Sequence, residues 1–195
     1  MKQRQSLRLV DILVTVVVAV VFGIVFKLWS PLYYAVKPFG LRLDELIYGM
    51  WFIAAPVAFL IIRKPGVALL AETAASAAEL ITGSEWGVPV LISGVVQGLA
   101  TELILAIFRY KRYDLGVLSL AAAVTAIASL GVDYYNNYIE DLSTWNLTVM
   151  VVARVIGAIV ISGGFAYYLV KALEATGVTQ LVRPAAESDY EALKK

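Results

Sequence analysis

Residues 71–87, AETAASAAELITGSEWG, decide how many times the chain crosses a membrane. Read as the outer part of a span over 66–82, they bring the total to six crossings and put both ends of the chain on one side. The stretch is short and alanine-rich. It places Glu72 and Glu79 seven residues apart, about two helical turns, so both carboxylates fall near one helix face. Ser76 lies between them and Gly83 just beyond. Low bulk of this kind suits a helix buried between other helices, where small residues allow close approach.

The rest of the chain supports that count. Of 195 residues, 61% are hydrophobic, against about 45–50% in a soluble domain. Spans need about 20 mostly apolar residues, and six segments qualify: 8–29, 43–62, 66–82, 88–109, 115–137 and 146–171. Lys2, Arg4 and Arg8 precede the first span. Arg63 and Lys64 separate the second from the third, and Arg109, Lys111 and Arg112 the fourth from the fifth. Lys171, Arg183, Lys194 and Lys195 follow the sixth. The opposite loops hold Lys37 and Arg42, with Lys27 close by. Basic residues favour the cytoplasmic side, so both termini are expected there. The predicted fold is all-α: a polytopic bundle of six transmembrane helices over 1–176, followed by a polar cytoplasmic tail over 177–195. The apolar stretch from Leu7 to Leu28 lacks a small-residue cleavage site and reads as a retained first helix. Pro56 predicts a kink in the second span. On the outer side, 30–42 (SPLYYAVKPFGLR) reads as a long, lid-like loop and 83–87 (GSEWG) as a tight turn. Residues 138–145 (YIEDLSTW) form an acidic, aromatic connection.

Depth along these spans gathers polar and aromatic residues in the outer half: Tyr48, Trp51, Glu79, Glu85, Trp86, Gln97, Asp133, Tyr134, Asn137, Trp145 and Asn146, with Glu72 deeper. Ionisable groups in a bilayer usually face a cavity or a partner. Carboxylates and π-faces, with Arg154 the nearby base, suit a pocket for a small organic cation. Alternatives stand beside this. Trp86, Trp145 and Tyr138 also fit an interfacial aromatic belt. Glu79 also fits a structural pair with Arg154, and Glu85 a solvated loop residue. Glu72 and Glu102 fit interhelical hydrogen bonding better than ligand contact. Asp11 fits a pair with Arg8 three residues away. Ala19 and Gly23 carry small-residue spacing on a Val/Ile-rich first span, a face for a second membrane protein or for lipid.

The chain has no cysteine and no histidine. Thiol chemistry and the commonest metal ligand and general base are therefore missing. No cofactor or metal is expected. No G-x-x-x-x-G-K-[ST] occurs, so the chain has no P-loop. No basic, aromatic-interleaved patch points to nucleic acid.

Three long stretches carry a resemblance: DILVTVVVAVVFGIVFKLWSPLY at 11–33, AETAASAAELITGSEWG at 71–87 and SGVVQGLATELILAIFRYKRYD at 93–114. Together they resemble the YkoE family of substrate-binding S components of energy-coupling-factor (ECF) vitamin transporters. Family-like positions are Glu72, Glu79, Gly83, Trp86, Gly87, Gln97, Gly98 and Glu102. The resemblance implies a six-helix subunit that captures thiamine or its hydroxymethylpyrimidine precursor (HMP) in an outward-facing pocket. It implies partners as well: a transmembrane coupling protein and two ATPase subunits, within a bacterial cytoplasmic membrane. It also implies docking through an alanine-x-x-x-alanine pattern on the first helix, for which Ala19 and Gly23 are the nearest match. The acid-rich cluster favours the cationic vitamin, with Glu79 for the amine and Trp51, Tyr134 or Trp86 for stacking. Gln97 and Asn137 suit the ring nitrogens. Two other functions compete: a self-sufficient proton-coupled carrier, and an intramembrane enzyme using paired carboxylates.

Overall fold

The computed structural model describes residues 6–40, 42–177 and 179. Lys2, Arg4, Arg183, Lys194, Lys195 and nearly all of the expected tail lie outside the described residues.

The first helix, α1 (Leu9–Val36), is 28 residues long, about 42 Å at 1.5 Å per residue. It runs straight through most of the stretch expected to be a loop. The lid-like loop over 30–42 is thus corrected to a helical extension, a 3-10 turn at Lys37–Phe39 and a short turn back. Pro31 does not stop the helix because the bundle holds both sides of it. Ser30 is buried and its hydroxyl donates to the Phe26 carbonyl, and Tyr33 buries its ring inward.

The second crossing is broken. It consists of α2 (Leu43–Ile47), a 3-10 turn at Tyr48–Phe52 and α3 (Ala54–Ile62). The sequence predicts a kink at Pro56; the irregularity lies just before it, and the proline explains why. In a regular helix residue 56 would donate to the carbonyl of Phe52, and proline has no N–H to give. The Phe52 carbonyl instead accepts from the Ser162 hydroxyl at 3.0 Å. The Ala55 amide, at the start of α3, donates to Glu72 at 2.8 Å. Both freed backbone groups are therefore satisfied by neighbouring helices, as a break inside an apolar bundle requires.

The remaining helices are α4 (Val67–Ile81), α5 (Pro89–Ile107), α6 (Leu115–Tyr135), α7 (Thr144–Ala158) and α8 (Ala166–Ala175). A π-helical stretch at Ile159–Phe165 joins the last two into one crossing. Among the described residues, five helical segments are long and apolar enough to cross a membrane: Leu9–Phe39, Leu43–Ile62, Pro89–Ile107, Leu115–Tyr135 and Thr144–Ala175. The sixth, α4, has only 15 residues. It packs between α1 and α5. A Cβ on Gly23 of α1 would sit 2.4 Å from that of Ala78, so the two backbones nearly touch. Gly94 and Gly98 on α5 receive the opposite flank of α4 in the same way. Glu102 of α5 caps the start of α4, accepting from the amides of Gly66, Ala68 and Leu69.

One end of the bundle gathers the start of α1 and the ends of α3 and α8. Lys64 pairs with buried Asp11, which also accepts from the Arg8 amide at 2.6 Å. Arg63 pairs with Glu174 at 2.9 Å. The start of the described chain and the end of α8 therefore share this end. The opposite end carries the turns at 37–40, 82–88 and 136–143, and beneath them lies a cavity.

Candidate functional site

The cavity has a volume of about 230 Å³ and opens between the break in the second crossing, the start of α5 and the ends of α6 and α7. Each wall follows from a local feature of the chain. The 3-10 turn at 48–52 swings Tyr48 and Trp51 to the same side. The turn at 82–88 holds Trp86 over them through the Ser84 hydroxyl, which accepts from the Trp86 amide at 3.3 Å. Tyr33, from the α1 extension, is the hub. Its ring meets Trp51 edge-on at 5.5 Å, Tyr48 at 6.0 Å and Trp86 at 6.1 Å. Tyr34 stacks on the other side of Trp86 at 5.9 Å.

The floor is a buried ion cluster. Arg154, 1% exposed, donates through Nε to Glu45 at 2.6 Å. Its Nη1 donates to Asp133 at 2.5 Å and to the Ser129 hydroxyl at 3.0 Å. The guanidinium also lies 3.9 Å from the centre of the Tyr48 ring. Burying such charges is costly unless each is paired and hydrogen-bonded, and this cluster meets that condition. It ties α2, α6 and α7 into one unit. Gly157 lets this happen: a Cβ there would fall 2.1 Å from the Leu46 carbonyl oxygen, so α7 and α2 meet at backbone distance.

Of the residues singled out in the sequence, Tyr48, Trp51, Trp86, Gln97 and Asp133 line the cavity. Gln97 is 3% exposed, and its amide has no hydrogen bond among the described residues. The others lie elsewhere. Glu79 is fully buried and accepts from the Ser84 hydroxyl at 3.2 Å, with the Trp51 indole as its other neighbour. It does not pair with Arg154. Glu72 sits a level deeper on the Ala55 amide. Glu85 pairs with Lys27 at 3.6 Å. Tyr134 and Trp145 turn outward, 63% and 76% exposed. Asn137 takes a left-handed backbone conformation (φ 58°), with its amide placed to donate to Glu140 at 3.1 Å. Its neighbour Asn136 lines the cavity in its stead.

Sequence reasoning missed Tyr33, Asp44 and Glu45. The first was hidden in the supposed loop. A usable signal for the acids was present: Arg154 in mid-span demands anionic partners, and Asp44 and Glu45 open the facing span. Ala19 and Gly23 need correction as an outward docking face. Ala19 is 2% exposed, and Gly23 is consumed in the contact with α4.

Comparison with known proteins agrees with this architecture. The family described as "ABC-type cobalt transport system, permease component" matches residues 10–128. A curated Bacillus subtilis (strain 168) protein, YkoE, by name an HMP/thiamine permease, is 36% identical over 140 residues, 72% of this chain and 70% of its own. A solved structure described as an S-component of an ECF transporter superposes with a TM-score of 0.87 at 30% identity, covering 97% of this chain and 96% of that one. The chain belongs to the YkoE family of ECF S components. As an S component it is a multi-pass protein of the cell membrane that works with ECF coupling and ATPase subunits, and its relatives are transporter components, not enzymes. The family description names cobalt, yet the donor set here does not suit a transition metal. The chain has no histidine or cysteine, and the described residues hold no cluster of three or more such ligands or acids placed for an ion.

Proposed function

We propose that this S component captures a pyrimidine vitamin, HMP or thiamine, in the cavity beneath the broken second crossing. One observation carries the reading: a 230 Å³ hollow walled by Tyr48, Trp51 and Trp86, with the uncommitted amide of Gln97 among its lining residues. Ligand pockets commonly run to about 300–1,000 Å³, so this one suits a small, flat ring system. Indole and phenol faces stack on such rings, and an amide matches the donor and acceptor pattern of a pyrimidine edge. The name of the Bacillus subtilis relative supports the same ligand class.

The charge distribution shifts the emphasis between the two ligands. The acid excess read from the sequence favours cationic thiamine. In the structure Arg154 holds both Glu45 and Asp133, and the three lining bases, Arg154, Lys37 and Arg42, match the three lining acids, Asp44, Glu45 and Asp133. Stacking and hydrogen bonding to the pyrimidine, the part the two compounds share, then dominate. The basic residues support an outward-facing mouth: Arg63, Lys64, Arg112 and Lys171 gather at the end away from the cavity, the side expected to be cytoplasmic.

Titration calorimetry on the purified chain with HMP, thiamine and riboflavin tests this. HMP and thiamine should each bind at one site and compete with each other, while riboflavin should give no saturable heat. Saturable binding of neither pyrimidine removes the proposal.

A further inference from the structure

Among the described residues three carboxylates line the cavity, and two of them are committed. Glu45 and Asp133 are both held by Arg154. The third, Asp44, is 2% exposed, lines the cavity, and has no hydrogen bond or ion pair among the described residues. Lys37 and Arg42 line the same cavity, but neither pairs with it; Lys37 is exposed and Arg42 half-buried. Successive residues on a helix point about 100° apart. Glu45 can therefore reach Arg154 while Asp44 faces another way. Its oxygens open onto the cavity, where a ligand that displaces water without supplying a donor loses affinity.

We propose that Asp44 is the specificity-determining anion of the site, supplying the acceptor for an N–H donor on the ligand. Resting on the pyrimidine reading above, this donor is the exocyclic amine that HMP and thiamine share. The ligand brings the partner that the folded chain withholds. The acid singled out from sequence for this task, Glu79, is not among the cavity-lining residues and already accepts from Ser84. Asp44 lines the cavity directly. Selection then works by omission: a ring of the same shape without the amine leaves Asp44 unpaired and is rejected.

The test pairs a variant with a ligand. Binding of HMP and of its des-amino analogue is measured by calorimetry on the wild-type chain and on Asp44→Asn, with thermal unfolding of both as the folding control. The wild type should prefer HMP over the analogue by roughly ten- to hundredfold, the worth of a hydrogen bond to a charged group. Asp44→Asn keeps an acceptor oxygen but not the charge, so it should lose part of that preference by binding HMP more weakly, while its affinity for the analogue does not fall. Equal weakening of both ligands would show that Asp44 only shapes the site, and unchanged HMP binding would show that it makes no contact; either overturns the proposal while the pyrimidine reading stands. If Asp44→Asn does not fold, the wild-type preference decides alone, and equal affinities overturn the proposal. Failure of the wild type to bind any pyrimidine removes both.

Discussion

At the scale of single residues, Arg154 bears the most. Its guanidinium serves two carboxylates, a hydroxyl and a tyrosine face. Arg154→Met should leave Glu45 and Asp133 buried without a counter-charge, destabilising the fold by about 3–5 kcal/mol. Thermal unfolding in detergent should show a lower midpoint. Arg154→Lys should recover only part of it, because an ammonium lacks the planar fork that holds both acids at once. An unchanged midpoint in Arg154→Met would mean the cluster contributes nothing net. Arg154 and Asp133 were both visible in the sequence as charges too deep to be solvated. Their third partner was not. Glu45 and Arg154 are 109 residues apart, and helical spacing rules relate only near neighbours. Glu79 and Arg154 looked like partners by depth alone, since depth along a span does not tell which way a side chain points.

At the scale of elements, the break at 48–53 builds the site, and neighbours stabilise it through two hydrogen bonds. Glu72 accepts from the Ala55 amide. Glu72→Gln keeps an acceptor oxygen there and should bind ligand nearly as well as the wild type. Glu72→Leu removes it, orphans a buried N–H at a cost of about 1–3 kcal/mol, and should weaken binding by loosening the turn that carries Trp51. Equal affinities for the two variants would show that this bond does not position the turn. The contact between α7 and α2 makes a second prediction. Gly157→Ala forces a Cβ into the Leu46 carbonyl, and overpacking of this kind costs about 1–3 kcal/mol. Both the unfolding midpoint and ligand affinity should fall, since α2 carries Asp44 and Glu45. Pro56 announced an irregular second crossing but not its extent, because the 3-10 geometry is set by Ser162 and Glu72 on other helices. The loop reading of 30–42 failed for a related reason. Ser, Pro and Gly there look like turn formers locally, and only burial of Ser30 and Tyr33 against the bundle keeps the helix going.

At the scale of the whole molecule, apolar run length and charge pattern were enough to read six passes, including α4, which is too short to be recognised by length alone. What makes α4 a member of the bundle is its seam of small residues against Gly23, Gly94 and Gly98. That same seam explains why the Ala19 and Gly23 spacing looked like a docking face. Small-residue spacing marks close helix contact without saying whether the partner is internal or external. The architecture that results separates tasks. One end holds basic clasps between α1, α3 and α8, and the other holds an aromatic cavity over a hydrogen-bonded ionic floor. The chain contributes capture, and the ECF partners contribute the drive.

The central claim is that the ligand enters the cavity walled by Trp51 and Trp86. The chain has four tryptophans, and only these two line the cavity, which makes intrinsic fluorescence the most direct measurement. In a variant with Trp29 and Trp145 replaced by phenylalanine, titration with HMP should give saturable quenching as the ring stacks on the remaining indoles. In the reciprocal variant, with Trp51 and Trp86 replaced, the signal should not respond. Quenching confined to Trp29 and Trp145 would place the ligand elsewhere and contradict the account.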